Sequence, residues 1–207
     1  MKKLLLSAFV ICLAGTSIAQ ESPLWMRHCA LSPDGTTIAF TYKGDIYTVP
    51  STGGRATQIT TNPAFDTEPV WSPDSKQIAF ASDRMGSLDV FVVSSEGGAP
   101  QRLTTHSGSE KPVAYKDNKH ILFTANIAPS AEDAGFPSGQ FQQVYEVAVT
   151  GGRPAMFSSM PMECISINKE GVMLYQDKKG YEDYWRKHQV SPIARDIWTY
   201  TPGKKPV

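Results

Sequence analysis

Few residue patterns in this chain have the types and the spacing that catalysis or metal binding requires. Its four histidines stand far apart in the sequence, at His28, His106, His120 and His188. The Cys-x-x-Cys and His-Glu-x-x-His spacings that hold zinc do not occur. The Gly-x-Ser-x-Gly pattern, which places a nucleophilic serine on a sharp turn, is also absent. We therefore expect no catalytic residue, no metal site and no cofactor site in this sequence.

Two recurring patterns resemble ligand sites but are better explained as turns. Asp34, Asp74 and Asp117 each stand alone in a turn segment, whereas a calcium loop brings several oxygen ligands together. The Gly-Gly pairs at residues 53–54 and 97–98 resemble a phosphate-binding loop, but no helix pattern follows them. Proline, aspartate and glycine in Ser-Pro-Asp-Gly each favour one step of a β-turn. These residues therefore predict turns between strands.

The turn residues recur because the chain is built from repeats. Leu-Ser-Pro-Asp-Gly at residues 31–35 returns as Trp-Ser-Pro-Asp-Ser at 71–75, and Ile-Ala-Phe at 38–40 returns at 78–80. Asp-Ile-Tyr at 45–47 returns as Asp-Val-Phe at 89–91, each followed by Gly-Gly and then by Ile-Thr or Leu-Thr. We also align two Pro-Val motifs as equivalent, namely Glu-Pro-Val beginning at Glu68 and Lys-Pro-Val beginning at Lys111. Two weaker repeats contain Ile-Leu-Phe at 121–123 and Met-Leu-Tyr at 173–175.

A period of about 40–45 residues is typical of the four-stranded blades of a β-propeller. The apolar runs are short, alternating, and rich in β-branched or aromatic residues, which excludes helical repeats of similar length. We predict an all-β fold, a β-propeller with about four blades present and the last one incomplete. The units are residues 24–62, 63–106, 107–160 and 161–207. Since alternate residues of a strand share a face, Ile38 with Phe40 and Ile78 with Phe80 are expected in the core.

Long insertions enlarge one face of the predicted disc. The loop between the second and third strands covers only residues 43–45 in the first unit, but 126–143 in the third and 176–195 in the fourth. Loops of that length in a compact repeat are usually functional or disordered. The aromatic and charged side chains of the fourth-unit insertion have two interpretations. They form either a flap that packs on the blade or a contact surface for a partner or substrate. They are Tyr181, Tyr184, Trp185, Arg186 and His188.

The amino terminus has the features of a secretory signal peptide. Lys2 and Lys3 precede an apolar run at residues 4–13, and Ser17 and Ala19 are the small residues that a signal peptidase recognises. The run is shorter than the roughly 20 apolar residues that span a bilayer. We expect cleavage after Ala19, a partial propeller over residues 20–207, a periplasmic or secreted location and no membrane span after cleavage.

The charge of the chain gives no indication of a nucleic-acid partner. The 20 basic and 20 acidic residues balance to a formal net charge of 0, and loss of Lys2 and Lys3 leaves −2. Nucleic acids and anionic membrane surfaces select basic patches, which this composition does not predict. The sequence leaves the oligomeric state open.

Two cysteines remain after removal of the predicted signal peptide. The repeat assigns Cys29 and Cys164 to the inner strands of the first and fourth units, on opposite sides of a central channel. A disulfide needs Cα atoms within about 7 Å of each other. We therefore expect two free, partly buried thiols.

The repeat unit is similar to the TolB-type propeller repeat, and flanking motifs narrow the resemblance. Leu-Trp-Met-Arg at 24–27, Gly-Tyr-Glu-Asp-Tyr-Trp-Arg-Lys-His at 180–188 and Arg-Asp-Ile-Trp at 195–198 resemble the amino-terminal propeller of bacterial tricorn-protease homologues. The resemblance covers residues 22–207. Those homologues are large exported serine peptidases with two propellers, a PDZ domain and a C-terminal-processing-type catalytic core. The resemblance implies that the peptidase domains, with their catalytic serine, lie downstream, and that peptide substrates pass the propeller.

The fourth unit reaches residues 202–207 where the repeat predicts its outer strand. Because closure protects the strand edges of a propeller, we interpret the sequence as part of a larger disc. The resulting hypothesis is a non-catalytic module that scaffolds a tricorn-like serine peptidase and gates its peptide substrates. One alternative is a TolB-like periplasmic module that docks protein partners. Another is the propeller of a prolyl-oligopeptidase-type enzyme.

Overall fold

The computed structural model describes residues 25–127, 142–160, 162–168, 170–177 and 196–204. These residues form fifteen β-strands, and none of them lies in a helix. Within these ranges there is accordingly no helix of the length and hydropathy needed to cross a membrane. The predicted signal peptide, residues 1–19, lies outside the described residues.

The strands form four antiparallel sheets in chain order. The first sheet contains β1 (Arg27–Leu31), β2 (Thr37–Tyr42), β3 (Asp45–Pro50) and β4 (Thr57–Gln58). The second contains β5 (Asp66–Trp71), β6 (Gln77–Ser82), β7 (Asp89–Ser94) and β8 (Gln101–Arg102). The third contains β9 (Glu110–Asp117), β10 (His120–Ala125), β11 (Gln143–Ala148) and β12 (Ala155–Ser158). The fourth contains β13 (Met162–Ile167), β14 (Met173–Asp177) and β15 (Ile197–Tyr200).

This arrangement confirms the prediction of an all-β propeller with about four blades. Each sheet begins with an inner strand, and neighbouring inner strands contact one another in the pairs β1–β5, β5–β9 and β9–β13. The repeat is visible in the pairing, since Leu31 pairs with Ile38 in the first sheet as Trp71 pairs with Ile78 in the second. The four inner strands therefore lie next to one another around the central axis of the propeller.

The core lies between successive sheets, and the Ile-Ala-Phe motif explains how it forms. Because strand side chains alternate, Ala39 faces the second sheet, where it packs with the fully buried Ile78 and Phe80. On the other face of the second sheet, Ala79 packs with Ile121 and Phe123 of the third. The expectation that Ile and Phe are buried on one face is confirmed at Phe40, Ile78 and Phe80. Ile38 is only half-buried, whereas Phe40 on the same face is buried.

The Ser-Pro-Asp segments form the predicted turns. In the first sheet, Asp34 Oδ1 accepts hydrogen bonds from the Ser32 hydroxyl at 2.6 Å and from the Thr36 backbone N–H at 3.0 Å. Ser72 donates to Asp74 Oδ1 in the second sheet at 2.7 Å. These hydrogen bonds, above all the one from Ser32, lower the pKa of Asp34. The aspartates therefore act as acceptors within their own turns.

The two Pro-Val motifs are not equivalent, so their alignment in the sequence was wrong. The residues that occupy the same position are Trp71, paired with Ile78, and Tyr115, paired with Ile121. Pro69 precedes Trp71 by two residues, whereas Pro112 precedes Tyr115 by three. The motif of the third sheet is therefore displaced by one residue along the inner strand.

Candidate functional site

The inner strands β1, β5, β9 and β13 line two cavities that follow each other along the strands. One cavity, of about 530 Å³, lies towards the Ser-Pro-Asp turns and is lined by Leu31, Trp71, Tyr115 and Ile167 among others. The second, of about 600 Å³, lies towards the beginning of the inner strands. Both include Pro69, Val70, Val113 and Ile165 in their walls. Together they form the central channel of the described blades.

β-Bulges shape the wall of the second cavity. The pairing shifts between Arg27 and Ala30, between Thr67 and Val70, and between Glu163 and Ser166. His28, Glu68 and Cys164 lie at these bulges with φ values of 50°, 55° and 52°. The equivalent residue of the third sheet is Pro112, whose ring fixes φ near −65°, and the register of that sheet shifts between Pro112 and Ala114. A bulge adds a residue and redirects a side chain, so these strands do not follow simple alternation at this end.

Charged side chains of neighbouring blades meet in the second cavity. Lys111 Nζ of β9 lies 2.8 Å from Glu68 Oε1 of β5. The two side chains are 36% and 24% exposed, so the pair remains in contact with solvent. An exposed ion pair contributes at most about 1 kcal/mol to folding. Its main consequence is that the wall of the channel is polar and charged at this end.

Cys29 and Cys164 line this same cavity, from the first and fourth sheets. Both thiols are free, as expected, and their assignment to inner strands is confirmed. The expectation that they are partly buried was wrong, because both residues are exposed. Both residues lie in the bulged segments, where alternation no longer predicts which side chains point into the core.

The other cavity of the channel has an apolar and aromatic wall. The Trp71 indole N–H donates to the Ala30 carbonyl at 3.0 Å, which joins the inner strands of the first two sheets. Leu31 is 58% exposed towards this space. Burial raises the pKa of the Tyr115 hydroxyl, so this side chain of the cavity wall is uncharged at physiological pH. The channel therefore changes from an apolar end to a polar, charged end.

The predicted partner surface of the fourth-unit insertion is not part of this site as described. Its members, Tyr181, Tyr184, Trp185, Arg186 and His188, lie outside the described residues, and so does most of the third-unit insertion. Within the described part of the chain, no group of three His, Cys, Asp or Glu side chains is placed to hold a metal ion.

The sequence did not predict a buried ion pair within the second sheet, which joins the start of β5 to the segment after β6. Arg84 Nη2 donates to both carboxylate oxygens of Asp66, at 3.0 and 2.9 Å, and Arg84 Nε donates to the Ser82 hydroxyl at 2.8 Å. The guanidinium carbon lies 4.5 Å from the centre of the Phe91 ring. In the sequence, Asp66 begins the inner strand and Arg84 follows the second strand by two residues. These two residues become neighbours only once the pairing of Asp66 with Ser82 is known.

Comparisons with known proteins give the family. Residues 23–207 match the family described as the tricorn protease N-terminal beta propeller domain. The chain is 39% identical over 77 residues to tricorn protease homolog 1 of Streptomyces coelicolor, covering 37% of this chain and 7% of that protein. It is 21% identical over 189 residues to a protein of Sulfurisphaera tokodaii named as a tricorn-like protease N-terminal subunit, covering 86% of this chain and 90% of that protein.

A TolB structure from Agrobacterium tumefaciens superimposes with a TM-score of 0.62 at 22% identity, over 86% of this chain and 64% of that one. At that identity the likeness shows the fold alone. The chain spans 16% or less of the length of two of the curated relatives it matches. The family match, by contrast, includes every described residue. The chain therefore belongs to the family of tricorn protease N-terminal β-propeller domains.

Proposed function

We propose that this chain is the non-catalytic propeller module of an exported tricorn-like serine peptidase. In this role it scaffolds the peptidase domains and guides peptide substrates through the central channel. The catalytic serine belongs to the peptidase domains. The periplasmic or secreted location is part of the same proposal and rests on the signal-peptide pattern of residues 1–19.

The observation that carries the proposal is the channel lined by the inner strands. Its two cavities share walls, and its surface changes from Leu31, Trp71 and Tyr115 at one end to Glu68 and Lys111 at the other. An extended peptide carries both apolar side chains and backbone polar groups, and this wall offers partners for both. The pocket of a small-molecule enzyme would instead concentrate a few convergent polar groups in an enclosed apolar cleft.

The two channel cysteines provide a direct test. In the peptidase that contains or binds this chain, maleimide-linked polyethylene glycol should attach to Cys29 and Cys164 and obstruct the second cavity. We expect slower hydrolysis of a long unfolded protein substrate and unchanged hydrolysis of a short chromogenic peptide. The matched control is the Cys29→Ser/Cys164→Ser variant treated in the same way. Equal rates for long substrates in the labelled protein and the control would contradict the channel role.

The fourth-unit insertion is proposed as a surface for the peptidase domains. Its aromatic and arginine side chains, Tyr181, Tyr184, Trp185, Arg186 and His188, are of the types that protein interfaces enrich. Replacing Tyr184, Trp185 and Arg186 together by serine should weaken association with the peptidase domains and leave the melting temperature of the propeller unchanged. A matching loss of stability would mean that these side chains belong to the core instead.

A further inference from the structure

Equivalent positions of the second and third sheets carry a buried carboxylate at the start of the inner strand. Asp66 opens β5 and pairs with Ser82, and Glu110 opens β9 and pairs with Ala125. Both backbones are anchored alike, since the Asp66 N–H donates to the Gly44 carbonyl and the Glu110 N–H to the Leu88 carbonyl, each at 2.7 Å. Both side chains are completely buried. The two acids can therefore be compared as members of one repeat.

The repeat supplies a cation to the first of these acids but not to the second. Arg84, two residues beyond β6, binds both oxygens of Asp66 and is positioned by the Ser82 hydroxyl. The residue two positions beyond β10 is Ile127, and Ala125 replaces Ser82. The third sheet has thus lost both the guanidinium and the hydroxyl that orients it, while it keeps the carboxylate.

Among the described residues, no guanidinium hydrogen-bonds to Glu110 as Arg84 does to Asp66. Neither Oε1 nor Oε2 makes a hydrogen bond, although both oxygens are buried. The Thr104 hydroxyl and the His106 backbone N–H lie near the carboxylate and favour its ionised form. The Asp89 carboxyl is also near enough for a protonated Glu110 to donate to it, but none of these contacts reaches hydrogen-bond geometry. A buried carboxylate without a hydrogen bond is costly to ionise. A cation that bound there would remove that cost.

The nearby arginine is already engaged. Arg102 Nη2 lies 2.9 Å from Asp89 Oδ2, and the Asp89 side chain is completely buried. Asp89, Glu110 and Arg102 together have a formal charge of −1 when both acids are ionised. The corresponding cluster of the first two sheets has the same charge, but there Gln58 and Thr60 donate to Asp45, and Arg84 donates to Asp66. Between the second and third sheets, by contrast, neither Asp89 nor Glu110 receives a hydrogen bond of that kind, and only Asp89 has an ion-pair partner, Arg102.

A cavity of about 730 Å³ lies at this position, between the outer part of the second sheet and the third sheet. Glu110, Ile127, Tyr145 and Arg102 are in its wall, and the exposed residues His106 and Arg153 stand at its mouth. In the second sheet the Arg84 guanidinium lies over a pair of aromatic rings, and the third sheet has an aromatic pair at the equivalent positions. Phe80 and Phe91 stack at 5.9 Å, and Phe123 and Tyr145 stack at 5.7 Å.

We propose that this cavity binds a guanidinium group, supplied by an arginine side chain of a peptide, against Glu110 and the ring of Tyr145. The bound group takes the place that Arg84 takes between the first and second sheets. A planar guanidinium satisfies both carboxylate oxygens at once and stacks on an aromatic face, which an ammonium group does less well. This site is separate from the central channel, and its failure would leave the channel proposal untouched.

Binding to the full chain tests the proposal directly. Nα-acetyl-arginine amide should bind saturably, observed by calorimetry and by amide shifts in NMR spectra, with the largest shifts around Glu110 and Tyr145. Nα-acetyl-citrulline amide, which has nearly the same shape without the charge, should bind at least about tenfold more weakly. Nα-acetyl-lysine amide should also bind more weakly than the arginine compound. Equal binding of all three compounds, or tighter binding of the lysine compound, would overturn the assignment.

Two variants localise the site. Glu110→Gln should reduce the affinity for the arginine compound by about tenfold or more. Ile127→Arg rebuilds the arrangement of the second sheet and should abolish binding because its own guanidinium fills the site. It should also raise the melting temperature, and this gain should disappear in the Glu110→Gln background. Ile127→Leu is the matched control and should retain binding. Retention of full affinity in folded Ile127→Arg would disprove the site.

Discussion

Thr60 and Thr104 make the same hydrogen bond in successive sheets. The Thr60 hydroxyl accepts from the Ile46 backbone N–H, and the Thr104 hydroxyl accepts from the Val90 backbone N–H, each at 2.9 Å. Both threonines and both donor residues, Ile46 and Val90, are buried. The recurring Ile-Thr and Leu-Thr pairs therefore have a structural cause: in the first two blades, the threonine of the outer segment accepts a hydrogen bond from a buried N–H of the third strand.

Thr60→Val should destabilise the propeller by about 1–3 kcal/mol, the cost of leaving a buried N–H without a partner. Thr60→Ser keeps the hydroxyl and should recover most of that loss. Urea unfolding followed by tryptophan fluorescence measures the change. Thr57→Val, the same substitution at an exposed site on β4, should change the free energy of unfolding by less than about 0.5 kcal/mol. If Thr60→Val and Thr57→Val lower the free energy of unfolding equally, the hydrogen bond of Thr60 does not explain the loss of stability.

Arg84→Met should destabilise the chain by about 3–5 kcal/mol, because it leaves the Asp66 carboxylate buried without its cation. The double variant Arg84→Met/Asp66→Asn removes the stranded charge and should recover a large part of the loss. A thermodynamic cycle over the two single variants and the double variant gives the coupling. If Arg84→Met alone changes the free energy of unfolding by less than about 1 kcal/mol, the pair is not a structural anchor.

The fold could be predicted from the sequence because its main determinants are local. Ile-Ala-Phe and its counterparts set the alternation of the second strands, which in β6 and β10 are buried on both faces, and the Ser-Pro-Asp motif sets the turn that precedes the strand in the first two blades. The bulges at His28, Glu68 and Cys164 could not be predicted, because a bulge adds a residue without a fixed sequence pattern. That is why Cys29 and Cys164 were expected to be partly buried and are exposed.

The candidate sites depend on register and were harder to predict. Trp71 and Tyr115 are equivalent only once their pairing with Ile78 and Ile121 is known, and the Pro-Val motifs suggested another alignment. The correct register is also what reveals Ile127 as the counterpart of Arg84. Sequence types alone gave no reason to compare these two residues, since they share neither charge nor shape.

The purified chain should cleave no peptide. No serine, cysteine or threonine of the sequence stands in a recognised nucleophile motif, and we assign catalysis to separate peptidase domains. Incubation with fluorescein-labelled casein and with peptide amides at several pH values should give rates equal to buffer. Hydrolysis that disappears when one serine of this chain is replaced by alanine would contradict the assignment.

Glu110 should make the stability of the propeller depend on pH. Burial raises the pKa of Glu110, the Thr104 hydroxyl opposes that shift, and the Asp89 carboxylate adds to it. Asp89 itself has a pKa raised by burial, with Arg102 opposing, so the two acids titrate as a coupled pair. In the unfolded chain a glutamate ionises near pH 4.3. Because the folded pKa is higher, the folded state holds its proton longer, and stability is lost as pH rises from about 4.3 through the folded pKa.

Glu110→Gln removes this loss, so the variant should gain stability relative to the parent chain as pH rises from about 4 towards 8. Below about pH 4 the difference should no longer change with pH, since the glutamate is then protonated in both states. Urea unfolding at a series of pH values measures the difference. Glu96→Gln, at an exposed position, is the matched control, and its free energy of unfolding should change with pH as that of the parent chain does. A Glu110→Gln curve that falls further below the parent as pH rises would show that the buried carboxylate is stabilised by a partner.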